Sequence, residues 1–318
     1  MRHYKLLTGL LLILFLISCK RDDNIIPQQI YKYERFSSSL EARVNCVYFI
    51  DTKTGFAAGS GKIFKTVDGG VNWQSDSITN LPINSIYFVN NDIGFAVGGI
   101  IYKTINGGDS WTKVTLPYKF LLLNSVFFIN KNIGFAIGLV HHLKTINGGK
   151  TWEQFVFDYK GLMEKISFVD SQTGFAAGLF GNIFKTTDQG KTWIRTENQS
   201  DGHIYDFYFV NKKTGYAGGQ KKIVKTVDGG DTWNILPNSP EEIYFIHFAD
   251  VNKGIAIGKG HYTGGDWGIW TNAIYSTSNG GKTWEKEDNI NFGSVASFPT
   301  NNIGYSIVKD STYKIIIQ

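Results

Sequence analysis

Six carboxylates or carboxamides recur at matched places along the chain: Asp68, Asn106, Asn147, Asp188, Asp228 and Asn279. Each is followed two residues on by a glycine and five residues on by a tryptophan: Trp73, Trp111, Trp152, Trp193, Trp233 and Trp284. A lone carboxylate in a cleft could act as acid, base or metal ligand. Six copies inside one short pattern, KTVDGGVNW at 65–73 and KTTDQGKTW at 185–193, point to turn chemistry instead. An Asp or Asn side chain accepts hydrogen bonds from the backbone just ahead of it, and the glycine supplies positive φ. The tryptophans are 38, 41, 41, 40 and 51 residues apart. A period of roughly 40 residues marks a solenoid or a propeller, so these twelve residues are expected to be scaffold.

Residues that break the repeat are better candidates for function, because binding residues concentrate on irregular loops of a regular frame. The sixth unit, GKGHYTGGDWGIWTNAIYST (258–277), is about ten residues longer than its siblings and carries His261, Tyr262, Asp266, Trp267 and Trp270. These suit a recognition patch for a partner protein or for stacking on sugar rings, or else a long hairpin whose aromatics pack back on the frame. Connections between units add Tyr118-Lys119-Phe120, Asp158-Tyr159-Lys160, Asp201-Gly202-His203 and Glu241-Glu242. Glycoside hydrolysis would need two carboxylates facing each other across the bond. Asp158, Asp201, Glu241 and Asp266 are available, and their spacing singles out no pair. His141 and His142 are adjacent on a strand, hence on opposite sides, and are expected to be structural rather than metal-binding. No glycine loop leads into a helix to cradle phosphate, so no cofactor is implied.

The elements that must hold these residues are strands. Aromatics make up 15% of the chain, glycine occurs 36 times, and no long apolar stretch of helical period follows residue 20. Each unit opens with an apolar run (NCVYFID at 45–51, NSIYFVN at 84–90, NSVFFIN at 124–130, EKISFVD at 164–170), as for a strand buried on both faces. A glycine-flanked second strand follows (GFAAG at 55–59), then a third ending in K-T (IFKT at 63–66), then the turn and its tryptophan. There are seven first strands and seven second strands but six turns, because the chain stops at TYKIIIQ (312–318), a third strand with nothing after it. The missing strand can come from IYKYERFS (30–37), with Ile30–Phe36 pairing Tyr313–Ile317. The count predicts an all-β, seven-bladed β-propeller of four-stranded blades over 30–318. Its N-terminal strand pairs the C-terminal strand, closing the ring and leaving no open sheet edge.

The N-terminus reads differently. MRHYK is basic, LLTGLLLILFLIS is apolar, and Cys19 follows, which describes a secretory signal too short to span a bilayer. Leu16-Ile17-Ser18-Cys19 resembles the bacterial lipobox, implying cleavage after residue 18, a lipid on Cys19 and a tether over 19–29. Lys20-Arg21-Asp22-Asp23-Asn24 resembles the charged export tags of surface lipoproteins in Bacteroidota. The expected location is the outer membrane, on its periplasmic side or at the cell surface. Without Arg2 and Lys5, 30 basic side chains face 27 acidic ones, which argues against nucleic acid as the main partner. Cys46 is the only other cysteine, so no internal disulfide framework exists, and Val44, Val47 and Phe49 make it a packed thiol.

The pattern [ST]-x-[DN]-x-G-x-[ST]-W resembles the Asp-box, or bacterial neuraminidase repeat, and Thr186 to Trp193 match it throughout. The whole unit, apolar strand, then G-[FY]-A-x-G, then I-x-K-T-x-[DN]-G-G-x-[ST]-W, resembles the photosystem II stability/assembly factor family and its non-photosynthetic relatives. That resemblance implies a seven-bladed propeller with its working face opposite the turns. Sialidases, which share the Asp-box, bind a carboxylate with three arginines. Beyond the tether this chain has Arg35, Arg43 and Arg195 alone and no F-R-I-P motif. Arginine scarcity also departs from the arginine-rich patch of the photosynthetic members. The resemblance therefore implies a lipid-anchored envelope module for protein–protein interaction or complex assembly, partnered by an envelope or surface protein. The alternative is a carbohydrate-binding or glycoside hydrolase propeller, sialidase-like or xyloglucanase-like.

Overall fold

Short apolar strands with a glycine at each end cannot bury both faces alone, so they stack as blades around an axis. In the computed structural model the first strands are Cys46–Phe49, Ile83–Phe88, Leu123–Phe128, Met163–Phe168, Ile204–Phe209, Ile243–Phe248 and Ala296–Ser297. They define blades 1 to 7, whose consecutive strands pair antiparallel and run outward in chain order, as in blade 3 with Leu123–Phe128, Gly134–Gly138, His142–Thr145 and Glu153–Gln154. The structure describes residues 30–38, 40, 44–118, 121–158, 161–262, 270–287, 292–308 and 311–318. Among them the helical content is one 3₁₀ turn, Leu179–Gly181.

The ring closes as the strand count requires. Tyr31–Ser37 pairs antiparallel with Ser311–Ile317, from Tyr31 opposite Ile317 to Ser37 opposite Ser311. Arg35 fastens the seam through its guanidinium, which donates to Ser311 Oγ at 2.9 and 3.1 Å. One strand was not expected. Glu197–Asn198, in the connection leaving blade 4, adds in parallel to Thr232–Trp233 and makes blade 5 five-stranded.

The repeated glycines and aromatics interlock within and between blades. In blade 3, Phe128 lies opposite Gly134, and a Cβ on that glycine would sit 2.5 Å from the Phe128 ring. Gly149, at φ +76, presses on Phe95 of the preceding blade, where a Cβ would fall 2.4 Å from the ring. Phe95, Phe128 and Trp152 form one buried cluster, with the indole edge-on to both phenyl rings.

The turns form as their chemistry dictates. Asn147 Oδ1 accepts from Thr151 N at 2.9 Å, and Thr145 Oγ1 accepts from Gly149 N at 2.9 Å. The same pair of bonds recurs at Thr186–Asp188, Thr226–Asp228 and Thr277–Asn279. Gly148 N donates to Asn132 O in the loop joining the first two strands, so both connections lie on one rim. The connections between second and third strands therefore lie on the far rim.

The lysine before each turn has a use that the repeat did not disclose. Lys103 donates to Gly148 O of the next blade, Lys144 to Gln189 O and Gly190 O, and Lys225 to Gly280 O. Lys65 and Lys185 instead reach Asp109 and Asp231 of the next turn, both at 2.6 Å. Blade 6 has Ser276 at this position, and blade 7 has no turn for a lysine to hold.

Candidate functional site

The seven first strands surround a central channel of about 500 Å3. Its far-rim mouth is bordered by Asn45, Asn84, Asn124, Glu164, Tyr205, Tyr244 and Ser294, one residue from each blade. The backbone explains their placement. In blades 2 to 6 the pairing of first and second strands shifts between Ile83 and Ser85, Leu123 and Ser125, Met163 and Lys165, Ile204 and Asp206, and Ile243 and Phe245. The residue inside each bulge is Asn84, Asn124, Glu164, Tyr205 or Tyr244. A bulge adds an unpaired residue and re-aims its side chain, here into the mouth.

Neighbouring members of this crown are linked. Asn45 Nδ2 donates to Ile83 O and to Asn84 Oδ1, both at 3.2 Å. Asn84 Nδ2 donates to Leu123 O at 2.9 Å, and Asn124 Nδ2 donates to Met163 O at 3.3 Å and Glu164 Oε2 at 2.8 Å. Glu164 Oε1 lies 3.1 Å from His203 Nε2. The Tyr205 ring then packs on His203 at 4.7 Å and on Tyr244 at 5.8 Å. Burial, ahead of the neighbouring carboxylate Glu242, pushes the hydroxyls of Tyr205 and Tyr244 above the ordinary phenol value, so both stay neutral donors.

Below the crown the channel is closed chemistry. Asp206 is buried, accepts from Ile246 N at 3.1 Å and pairs with Lys165 Nζ at 3.0 Å. Tyr48 and Tyr87 donate to Phe88 O and Phe128 O of the following blades. His247 stacks on Phe298 at 4.0 Å with Nε2 2.8 Å from Asn301 O, and burial brings its pKa down to about 4. Among the described residues no group of His, Cys, Asp or Glu is arranged to hold a metal ion.

The far rim also carries apolar side chains in solvent. Leu122, Leu139 and Val140 in blade 3 are exposed, and Phe180 in blade 4 is 65% exposed at φ 54. A non-glycine residue in this left-handed region is uncommon and marks a position held by its surroundings.

The residues singled out from sequence fall in several places. His261 and Tyr262 end the second strand of blade 6 and Trp270 begins the third, with Tyr262 opposite Trp270. The long connection is thus an extended hairpin at its base, while Asp266 and Trp267 lie outside the described residues, as does Cys19. His203 meets the crown through Glu164, and Glu242 pairs with Lys259. Asp158, Asp201 and Glu241 are exposed, and Glu241 pairs with Lys222 at 3.5 Å. His142 is buried against Phe155 and Phe157 while His141 packs on Tyr118, so the two rings have different neighbours. Burial pushes the Cys46 thiol up to about 12, in keeping with a packed thiol. Arg35 lies in the closing strand and Arg195 in the outer strand of blade 4, away from the channel; Arg43, Lys119, Phe120, Tyr159 and Lys160 lie outside the described residues. The crown itself was missed, although the first polar letter of NCVYFID, NSIYFVN, NSVFFIN and EKISFVD marks its column.

Residues 27–121 match the sequence model of the family described as photosynthesis system II assembly factor YCF48. The fold resembles YCF48 bound to D1 peptide at a TM-score of 0.72 and 16% identity, covering 92% of this chain and 97% of that one. It resembles YCF48 from Cyanidioschyzon merolae at 0.69 and 15% identity, covering 89% and 98%. A GH74 enzyme of Niastella koreensis matches at 0.66 and 15% identity, covering 89% of this chain and 53% of the enzyme. At these identities the likeness is one of fold. No curated protein matches the chain in sequence. The sequence match covers residues 27–121, and the solved structures show that the chain shares the β-propeller fold of YCF48.

Proposed function

We propose that this chain is a lipid-anchored envelope propeller whose far rim, centred on the channel mouth, binds a segment of a partner protein. The observation that carries the reading is the bulged crown: five blades repeat one backbone irregularity that turns a polar or aromatic side chain into the mouth. Exposed Leu122, Leu139, Val140 and Phe180 on the same rim add apolar contacts of the kind that polypeptide partners cover. A propeller of this fold solved with D1 peptide bound supports peptide recognition as a use of the architecture. The lipid on Cys19 would hold the domain at a membrane of the cell envelope, at the outer membrane in this reading, with the 19–29 tether giving reach.

Hydrolysis is the weaker reading. Of the carboxylates bordering the channel, Asp206 is spent on Lys165 and a backbone amide, and Glu164 is engaged by Asn124 and His203. The GH74 likeness extends over about half of that enzyme.

The test places a photo-crosslinking phenylalanine analogue at Phe180 on the far rim, or at exposed Val227 on the turn rim, in the full-length lipoprotein in its host. A discrete adduct from position 180 and none from 227 is expected. Adducts from 227 alone, or from neither, would overturn the assignment of this face. A Cys19→Ala variant that still labels with an alkyne fatty acid would overturn the anchor.

A further inference from the structure

The crown is biased in its hydrogen bonding, and the bias specifies what it can hold. A carboxamide offers two donors at nitrogen and an acceptor at oxygen, and the two ends are assigned by their partners. Here the partners are decisive, since Ile83 O, Leu123 O and Met163 O can only accept, so Nδ2 of Asn45, Asn84 and Asn124 must point to the next blade. Asn45 and Asn124 each spend their amide nitrogen on two acceptors inside the rim, and Asn84 spends its own on one. Asn45 Oδ1 and Asn124 Oδ1 have no protein partner among the described residues, and both side chains are half-buried at the mouth. Beside them stands Glu164, whose oxygens meet Asn124 Nδ2 and His203 and retain further lone pairs.

Charge points the same way. Lys165 and Asp206 compensate each other below the crown, and Lys259 and Glu242 pair at 2.9 Å beside it. Glu164 is the one carboxylate of the crown, and among the described residues its partners are Asn124 and His203, with no lysine or arginine. Next to it Tyr205 and Tyr244 offer ring faces, on which a planar cation can stack.

We infer that the mouth receives a basic side chain of the partner polypeptide, a guanidinium fitting best because it brings five fixed donors to an arc of acceptors and a flat face to the tyrosines. This rests on the protein-binding reading above and adds the chemistry of what is bound. The experiment titrates the full chain with N-acetyl-Gly-Arg-Gly amide and follows the side-chain amide signals of Asn45, Asn84 and Asn124 by NMR. The comparison probes are the same tripeptide with citrulline, which keeps the shape and loses the charge, and with glutamate. The arginine probe is expected to bind about tenfold more tightly than citrulline, and Glu164→Gln to cancel about that tenfold, since both remove one charge-assisted contact. Tyr244→Leu should weaken arginine binding and lower the arginine preference by less than Glu164→Gln does, since Tyr205 keeps its ring face. Equal binding of arginine and citrulline, tighter binding of the glutamate probe, an unchanged Glu164→Gln, or no shift with any probe would overturn the inference. If the position-180 crosslink persists in any of those cases, the protein-binding reading stands and the basic side chain alone falls.

Discussion

The two rims of the propeller are made by the same seven sheets and have opposite characters. On the turn rim every blade but the seventh repeats one set of bonds, and the lysine of one blade is spent on the turn of the next. On the far rim the backbone repeats its bulge while the residue in it changes from Asn to Glu to Tyr. Periodic sequence on one side and periodic backbone with aperiodic sequence on the other is what a frame with a single asymmetric site would need. The difference teaches that repetition in the sequence marks the stabilising rim, and repetition in the backbone alone marks the rim proposed to recognise a partner.

That comparison can be broken by substitutions, beginning with the largest effect. Trp233 is 1% exposed and meets Phe175 and Phe209 edge-on. Trp233→Ala should cost about 3–5 kcal/mol in denaturant unfolding, as for other large aromatic truncations in cores. A loss below about 1 kcal/mol would deny the turn rim its stabilising role. Thr145→Val keeps the shape and removes the acceptor of buried Gly149 N, so a loss of about 1–3 kcal/mol is expected.

Acid should separate the rims by pH. His142 starts the third strand of blade 3 at its far-rim end, and burial brings its pKa from an ordinary 6.5 down to about 4. The unfolded chain binds that proton first, so stability falls as pH drops from about 6.5 to about 4, with channel His247 adding to the slope. His142→Phe, placed between Phe155 and Phe157, should flatten this window in thermal melts. On the turn rim, desolvation of Asp188 is outweighed by hydrogen bonds from Thr192, Thr186 and Lys191, which hold its carboxyl at about 2 against an ordinary 3.8. Its contribution is present above 3.8 and lost as pH falls toward 2, and Asp188→Asn should flatten that lower window only. The smallest effect belongs to the far rim. Glu164→Gln and Phe180→Ser should each move unfolding free energy by less than about 0.5 kcal/mol while changing binding. A larger loss would make the crown part of the frame.

Blade number, strand order and the seam were legible because turn and core residues obey one period, and a missing turn at Ser311–Ile317 had to be answered by a strand from elsewhere. The extra strand Glu197–Asn198 was not, since its pairing is parallel and its partner follows only after three intervening strands of blade 5. The crown escaped because a bulge has no residue signature: Asn84 and Tyr205 occupy the same backbone irregularity, one a carboxamide and one a phenol. Tryptophans and histidines in the long sixth unit drew notice by their type, whereas Asn45 and Glu164 matter by position and partner.

The seam also sets a timetable. Arg35 and Ser311 are 276 residues apart and yet hydrogen-bonded, so the first strand of the domain to be synthesised waits for the last. Until then six blades can stack on their neighbours while Tyr31–Ser37 stays a loose end. Closure is the step of highest loop entropy and the one that protects two sheet edges at once. A chain stalled or clipped before residue 311 would present an unpaired edge, open to pairing with the same edge of another copy.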